Sequence, residues 1–217
     1  MPTPAYVWII GLLAQIFFTA RMLFQWLLSE KARAVVSPAV YWILSLLGSY
    51  TLFVYGYLRD DFSIMLGQFI GYYVYVWNLK IKGVWQTIFP RHTKIWVVAL
   101  QFFPLVACVA TVAQVGWVET WQHLFCNNRL TSALLLMGVA GQVIFSLRFL
   151  YQWYFSSRRG SSILPLGFWW ISLVGSMIIF AYGIIVRDPI LLLAQGPGIF
   201  TYARNLWIGS HYGIREG

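Results

Sequence analysis

Residues 142–153 read QVIFSLRFLYQW and place Arg148 inside an otherwise apolar run, flanked by Gln142 and Gln152 and closed by Trp153. An ionisable residue inside a membrane span is expensive, so by default it marks a functional site. The same pattern occurs earlier, where residues 15–26 read QIFFTARMLFQW, with Gln15, Arg21, Gln25 and Trp26 in the same places. The offset, 148 − 21 = 127, also links Gln15 to Gln142 and Trp26 to Trp153. Extended without a gap over 11–81 and 138–208, it gives 25 identities in 71 pairs, so the chain contains an internal duplication.

The chain has 217 residues, is 60% hydrophobic and only 10% charged. Soluble domains carry roughly a quarter charged residues. Several apolar runs reach the roughly 20 residues that a spanning helix needs. The pattern predicts an all-α membrane protein with seven transmembrane helices: about 6–28, 38–58, 62–80, 95–117, 134–155, 165–185 and 190–207. Two parallel three-helix repeats, 6–81 and 132–209, are joined by a connector, 82–131, that contains the linker helix. Three helices plus one is an even number, so the two repeats cross the bilayer in the same sense, a layout found among transporters.

The net charge of +9 would suggest nucleic acid in a soluble protein. Here Lys and Arg sit mostly in loops, which excludes that class and sets orientation. Lys31, Arg33, Lys80, Lys82, Arg91, Lys94, Arg158, Arg159 and Arg215 lie on one side, against Arg59, Arg129 and Arg187 on the other. The rich side is expected to be cytoplasmic, with the N-terminus outside and the C-terminus inside. The start, MPTPAY, has no basic leader, so the first apolar run is expected to be a retained helix. Cys108 and Cys126 suggest neither a disulfide framework nor a metal site. No catalytic constellation, cofactor motif or metal-ligand spacing is visible.

The matched residues are expected on inward faces. At about 100° per residue, Gln15, Phe18, Arg21, Gln25, Trp26 and Ser29 share one broad face, as do Trp42, Ser45, Gly48, Ser49 and Gly56. Gln68, Gly71, Tyr75 and Asn78 do the same on the third helix. At about 1.5 Å per residue, Arg21 lies roughly 10–12 Å from the cytoplasmic end of its helix. The duplicates Arg148, Gln152, Trp169 and Asn205 lie at matching depths, and Gln142, Gln195 and Tyr202 repeat Gln15, Gln68 and Tyr75. Together they describe a polar, cationic chamber that opens to the cytoplasm.

Each feature has a plainer alternative. Arg21 and Arg148 either snorkel to the interface or hold an anion, since guanidinium matches phosphate and carboxylate geometry. Asn78 and Asn205 either join helices or bond a polar ligand, beside Tyr75 and Tyr202. Trp42 and Trp169 are interface anchors or ligand-stacking rings. Ser45, Gly48, Ser49 and Gly56 favour close helix packing. Pro38 and Pro165 start helices or act as hinges. Gly196-Pro197-Gly198 is expected to break the seventh helix. Asp61 and Asp188 cap helices or couple a proton.

Gln142, Phe145, Arg148, Phe149, Gln152, Trp153, Ser156, Pro165, Trp169, Ser172, Gly175, Asp188, Gln195, Gly198, Tyr202, Arg204, Asn205 and Leu206 carry a resemblance. Over 142–208 the chain resembles the lipid-A-disaccharide synthase N-terminal domain family, a membrane module found fused to or near enzymes of lipid A biosynthesis. The first copy departs from it where Trp77 stands in place of Arg204. The 3 + 1 + 3 layout is also similar to SWEET and PQ-loop transporters, without their proline-glutamine pair. The resemblance implies lipopolysaccharide or related glycolipid assembly in a Gram-negative inner membrane. It does not imply disaccharide synthase activity, and the chain is expected not to be an enzyme. The expected function is a flippase that binds and translocates a polyprenyl-phosphate-linked sugar, a lipid A precursor or a similar anionic glycolipid. Arg21, Arg148 and Arg204 would hold phosphate. Asn78, Asn205 and the glutamines would hold sugar hydroxyls. A carrier of free sugars and a scaffold for a membrane glycosyltransferase are the alternatives.

Overall fold

The computed structural model describes residues 4–58, 62–88, 91–92, 95, 99, 102, 106, 109–110, 112–114, 116–119, 132–187 and 189–216. In chain order the elements are α1 (Ala5–Ala32), β1 (Val35–Ser37), α2 (Ala39–Leu58), α3 (Phe62–Ile81), α4 (Val84–Ile88), α5 (Ser132–Arg159), α6 (Leu166–Val186), α7 (Pro189–Tyr212) and β2 (Ile214–Glu216). Among the described residues, three helices, Ala5–Ala32, Ala39–Leu58 and Leu166–Ile185, are long and apolar enough to cross a membrane. The expected linker helix falls largely outside the described residues, although 95, 99, 102, 106, 109–110 and 112–114 are helical.

The all-helical expectation is corrected at one place. β1 and β2 pair in parallel, Val35 opposite Ile214 and Ser37 opposite Glu216. The polar tail is therefore tied back to the α1–α2 connection, which also carries α7 on to Tyr212, past its expected end at 207. A second correction concerns Gly196-Pro197-Gly198, which does not break α7. Proline removes one backbone donor, the one that would reach the carbonyl a turn earlier, yet α7 runs on through Pro197; one turn later Thr201 Oγ1 donates to the Pro197 carbonyl at 2.9 Å.

The chain forms two compact units, 1–21 with 42–127, and 22–41 with 128–217. Both use the same devices. In the first unit, a Cβ on Gly11 would lie 2.9 Å from the Tyr55 ring, and one on Gly48 would lie 2.9 Å from the Phe18 ring. In the second, the equivalent Gly138 meets the Tyr182 ring at 3.2 Å and Gly175 meets the Phe145 backbone at 2.8 Å. Glycine lets the first and second helices of each repeat approach closely, and small residues do this work between membrane helices.

The ends of α1 and α5 are also built alike. The Ala34 N–H reaches the Ser29 carbonyl and the Arg33 N–H reaches Glu30, while Ser161 and Gly160 reach Ser156 and Ser157. This is the paired terminal bonding that stops a helix with one left-handed residue. That residue is Arg33 (φ 46°) in one copy and Gly160 (φ 65°) in the other. Proline then sets the next helix: Tyr41 N–H bonds the Pro38 carbonyl and Phe168 N–H the Pro165 carbonyl. Pro165 itself is extended, with φ −68° and ψ 158°.

Candidate functional site

The arginines lie inside. Arg21 is 6% exposed and Arg148 is 5% exposed, so neither has snorkelled out. In the first unit, Arg21 Nη1 donates to Ser45 Oγ at 2.9 Å and to Tyr75 Oη at 3.2 Å. Its guanidinium lies 4.7 Å from the Phe18 ring centre, and Trp42 packs 6.1 Å from Tyr75. In the second unit, the Arg148 guanidinium lies 3.3 Å from the Phe145 ring centre and 4.3 Å from that of Phe149. Aromatic faces carry partial negative charge and hold cations this way. The counterparts of Ser45 and Tyr75 bond elsewhere: Ser172 Oγ donates to the Phe168 carbonyl at 2.6 Å, and Tyr202 Oη to Met22 Sδ at 3.9 Å.

The glutamines four residues on, Gln25 and Gln152, clasp the chain that follows each first helix. Gln25 Nε2 donates to Ser29 Oγ at 2.9 Å, and Ser29 Oγ accepts from Val36 N–H. Gln152 Nε2 donates to Ser156 Oγ and to the Ile163 carbonyl at 2.8 and 2.9 Å. Gln25 also exchanges two bonds with Asn205: its Nε2 reaches Asn205 Oδ1 at 2.8 Å, and Asn205 Nδ2 reaches Gln25 Oε1 at 3.0 Å. Asn205 Nδ2 further donates to the Thr201 carbonyl at 2.9 Å. This amide pair joins α1 to α7 within the second unit. Asn78 Nδ2 donates to the Val74 carbonyl at 2.8 Å.

Other expected residues spread out. Gln15 and Gln142 are exposed, a correction to the single inward face. Gln15 stands six residues before Arg21, so it points about 120° away on a helix. Ala14, seven before, is the residue buried on that line. Trp153 is exposed as well, while Trp42, Trp169, Tyr75 and Tyr202 are buried. Gln68 and Gln195 are half-buried, Pro38 and Pro165 are buried, and Pro197 is exposed. Asp61 and Asp188 lie outside the described residues.

Arg204 is engaged by a residue that sequence reasoning missed. Its Nε bonds Glu30 Oε1, and its Nη2 bonds Glu30 Oε2 at 3.0 Å. Trp26 Nε1 donates to the same carboxylate at 2.9 Å, and Arg204 lies 4.4 Å from the Trp207 ring centre. The signal was present: the duplication replaces both partners together, with Ser157 at the place of Glu30 and Trp77 at that of Arg204. Two buried groups have no hydrogen-bond partner among the described residues, the Tyr72 hydroxyl and the Trp169 indole N–H. Leaving such a group unsatisfied costs about 1–3 kcal/mol. No cluster of His, Cys, Asp or Glu able to hold a metal occurs among the described residues.

The sequence profile of the Lipid A Biosynthesis N-terminal domain matches residues 10–80 and again 137–207. The chain belongs to that family, as two tandem copies. Among its relatives is a lipid-A-disaccharide synthase of Chlamydia pneumoniae, 31% identical over 200 residues, which are 91% of this chain and 32% of the relative. Proteins of the same name from Chlamydia muridarum and Chlamydia trachomatis serovar D are 29% and 28% identical. Those two matches cover 99% of this chain and 36% of each relative. The chain thus spans about a third of the length of these curated relatives. No solved structure matches it. With its apolar helices, it is a membrane protein of the lipid A biosynthesis family.

Proposed function

We propose that this chain is a seven-span inner-membrane protein that binds and translocates a polyprenyl-phosphate-linked sugar or similar anionic glycolipid. It crosses with the N-terminus outside and the C-terminus inside, as two parallel three-helix repeats, 6–81 and 132–209, joined by a linker helix. The observation that carries the reading is the pair of buried arginines, Arg21 and Arg148, at the same position of both repeats. An interface anchor would reach water; a cation held inside on aromatic faces is suited to meet an anion that enters. Moving a phosphate through hydrocarbon costs several kcal/mol unless it is paired, and a buried guanidinium lowers that cost. Asn205, Gln25 and their neighbours then exchange amide bonds for sugar hydroxyls.

The test is the lipid retained on gentle purification, identified by mass spectrometry. The reading expects a glycosylated polyprenyl phosphate or lipid A precursor, depleted in an Arg21→Gln/Arg148→Gln variant that remains folded. Bulk phospholipid alone, in equal amount on both proteins, would sink it.

A second reading is favoured by the relatives, whose matched segment is about a third of proteins named as synthases. In it, the module holds the glycolipid for a partner glycosyltransferase and moves nothing. It predicts lipid binding without translocation.

A further inference from the structure

We propose that the Trp169 indole N–H donates to a hydroxyl oxygen of the glycolipid's sugar, so that the aromatic wall of the second repeat reads the headgroup. This rests on the glycolipid reading above and names the residue that recognises the sugar. Trp169 is 2% exposed, and its Nε1 has no acceptor among the described residues. Indole N–H can only donate, and buried polar groups are nearly always bonded. With no acceptor among the described residues, the N–H is available to a ligand oxygen.

The surroundings favour a sugar. Trp169 meets Phe168 edge-on at 4.9 Å and lies 6.0 Å from Tyr202. Tyr202 leads to Phe145 at 6.2 Å, the ring on which Arg148 rests. Phe168 leads to Phe149 at 6.1 Å, the second ring under the same guanidinium. One polar handle on an apolar ring suits a ligand that has an apolar face and a polar rim. A pyranose has C–H bonds on its face and hydroxyls at its rim.

The two repeats differ in a way that points to the second. Tyr75 accepts a bond from Arg21 at 3.2 Å and so braces its own arginine. Tyr202 donates to a thioether at 3.9 Å, a weak acceptor that a sugar oxygen readily displaces.

The experiment measures binding of three probes to the full chain in nanodiscs: farnesyl-phosphate-glucose, farnesyl phosphate and free glucose. Trp169→Phe keeps a ring and removes the donor. It is expected to weaken farnesyl-phosphate-glucose about five- to tenfold, the usual worth of one hydrogen bond, with farnesyl phosphate within about twofold. Trp170→Phe, at a 58% exposed neighbour, should bind like wild type. In wild-type protein labelled with ¹⁵N-tryptophan, one indole signal, absent from Trp169→Phe, should move downfield with the glycosylated probe. The shift itself is read in the wild-type protein, and Trp169→Phe serves only to assign the signal. A loss confined to free glucose supports the same donor and assigns the ligand to free sugar. Equal losses for both farnesyl compounds place the acceptor on phosphate and overturn the sugar assignment. Unchanged binding and an unmoved indole signal overturn the inference alone. Failure of wild type to bind any probe removes the glycolipid reading itself.

Discussion

Replacing Asn205 by Leu and Gln25 by Met, singly and together, measures the amide pair that joins α1 to α7. The two bonds are 2.8 and 3.0 Å long, and both residues are fully buried. Asn205→Leu leaves Gln25 Oε1 buried without its donor, which costs about 1–3 kcal/mol. Gln25→Met costs more, because it also frees Ser29 from the clasp on the chain at Val36. Once either amide is gone, losing the other removes less. Between membrane helices such couplings average about 0.6 kcal/mol and reach about 1.7. Two reciprocal bonds place this pair at the upper end, so a coupling of about 1–2 kcal/mol is expected. The assay is reversible unfolding of all four proteins in bicelles. Additivity within about 0.3 kcal/mol, as for independent sites, would refute the pairing.

Gly175→Ala should destabilise by about 1–3 kcal/mol, the usual cost of overpacking, because the new methyl meets the Phe145 backbone at 2.8 Å. Gly48→Ala should cost less, since it meets the side chain of Phe18; thermal unfolding that ranks the two the other way would contradict this packing. Arg33→Gly should raise stability by about 0.5–1 kcal/mol, because Arg33 holds φ 46° where only glycine is unstrained; an unchanged or lower melting temperature would count against that end geometry. Arg148→Lys should retain less than about a tenth of glycolipid binding while staying folded, because ammonium lacks the planar fork; full binding by the Lys variant would mean that any cation suffices.

Much of this was legible because the duplication supplies its own control. Arg21 and Arg148, Gln25 and Gln152, Ser45 and Ser172, and Gly48 and Gly175 all come out buried or closely packed, as two aligned copies of one inward face require. Gln15 and Gln142 also recur, yet they are exposed. Recurrence preserves a position without saying which way it points, and a broad face drawn over fifteen residues is wider than the buried stripe. The β1–β2 pair was not legible, since three-residue strands carry no usable periodicity. Nor was Glu30 read, because a lone acid near a helix end looks like an ordinary surface charge until Arg204 is seen to clasp it. The expected break at Pro197 did not occur: α7 continues through it, as membrane helices often tolerate a single proline.

Translocation itself is the most direct test of the central claim. Purified protein is reconstituted in liposomes with a fluorescent short-chain polyprenyl-phosphate-sugar, and its exchange between leaflets is followed by quenching from outside. The account predicts faster exchange with wild type, a strong slowing in Arg21→Gln/Arg148→Gln, and free monosaccharide uptake at background. Fast uptake of free sugar with an unmoved lipid would contradict it.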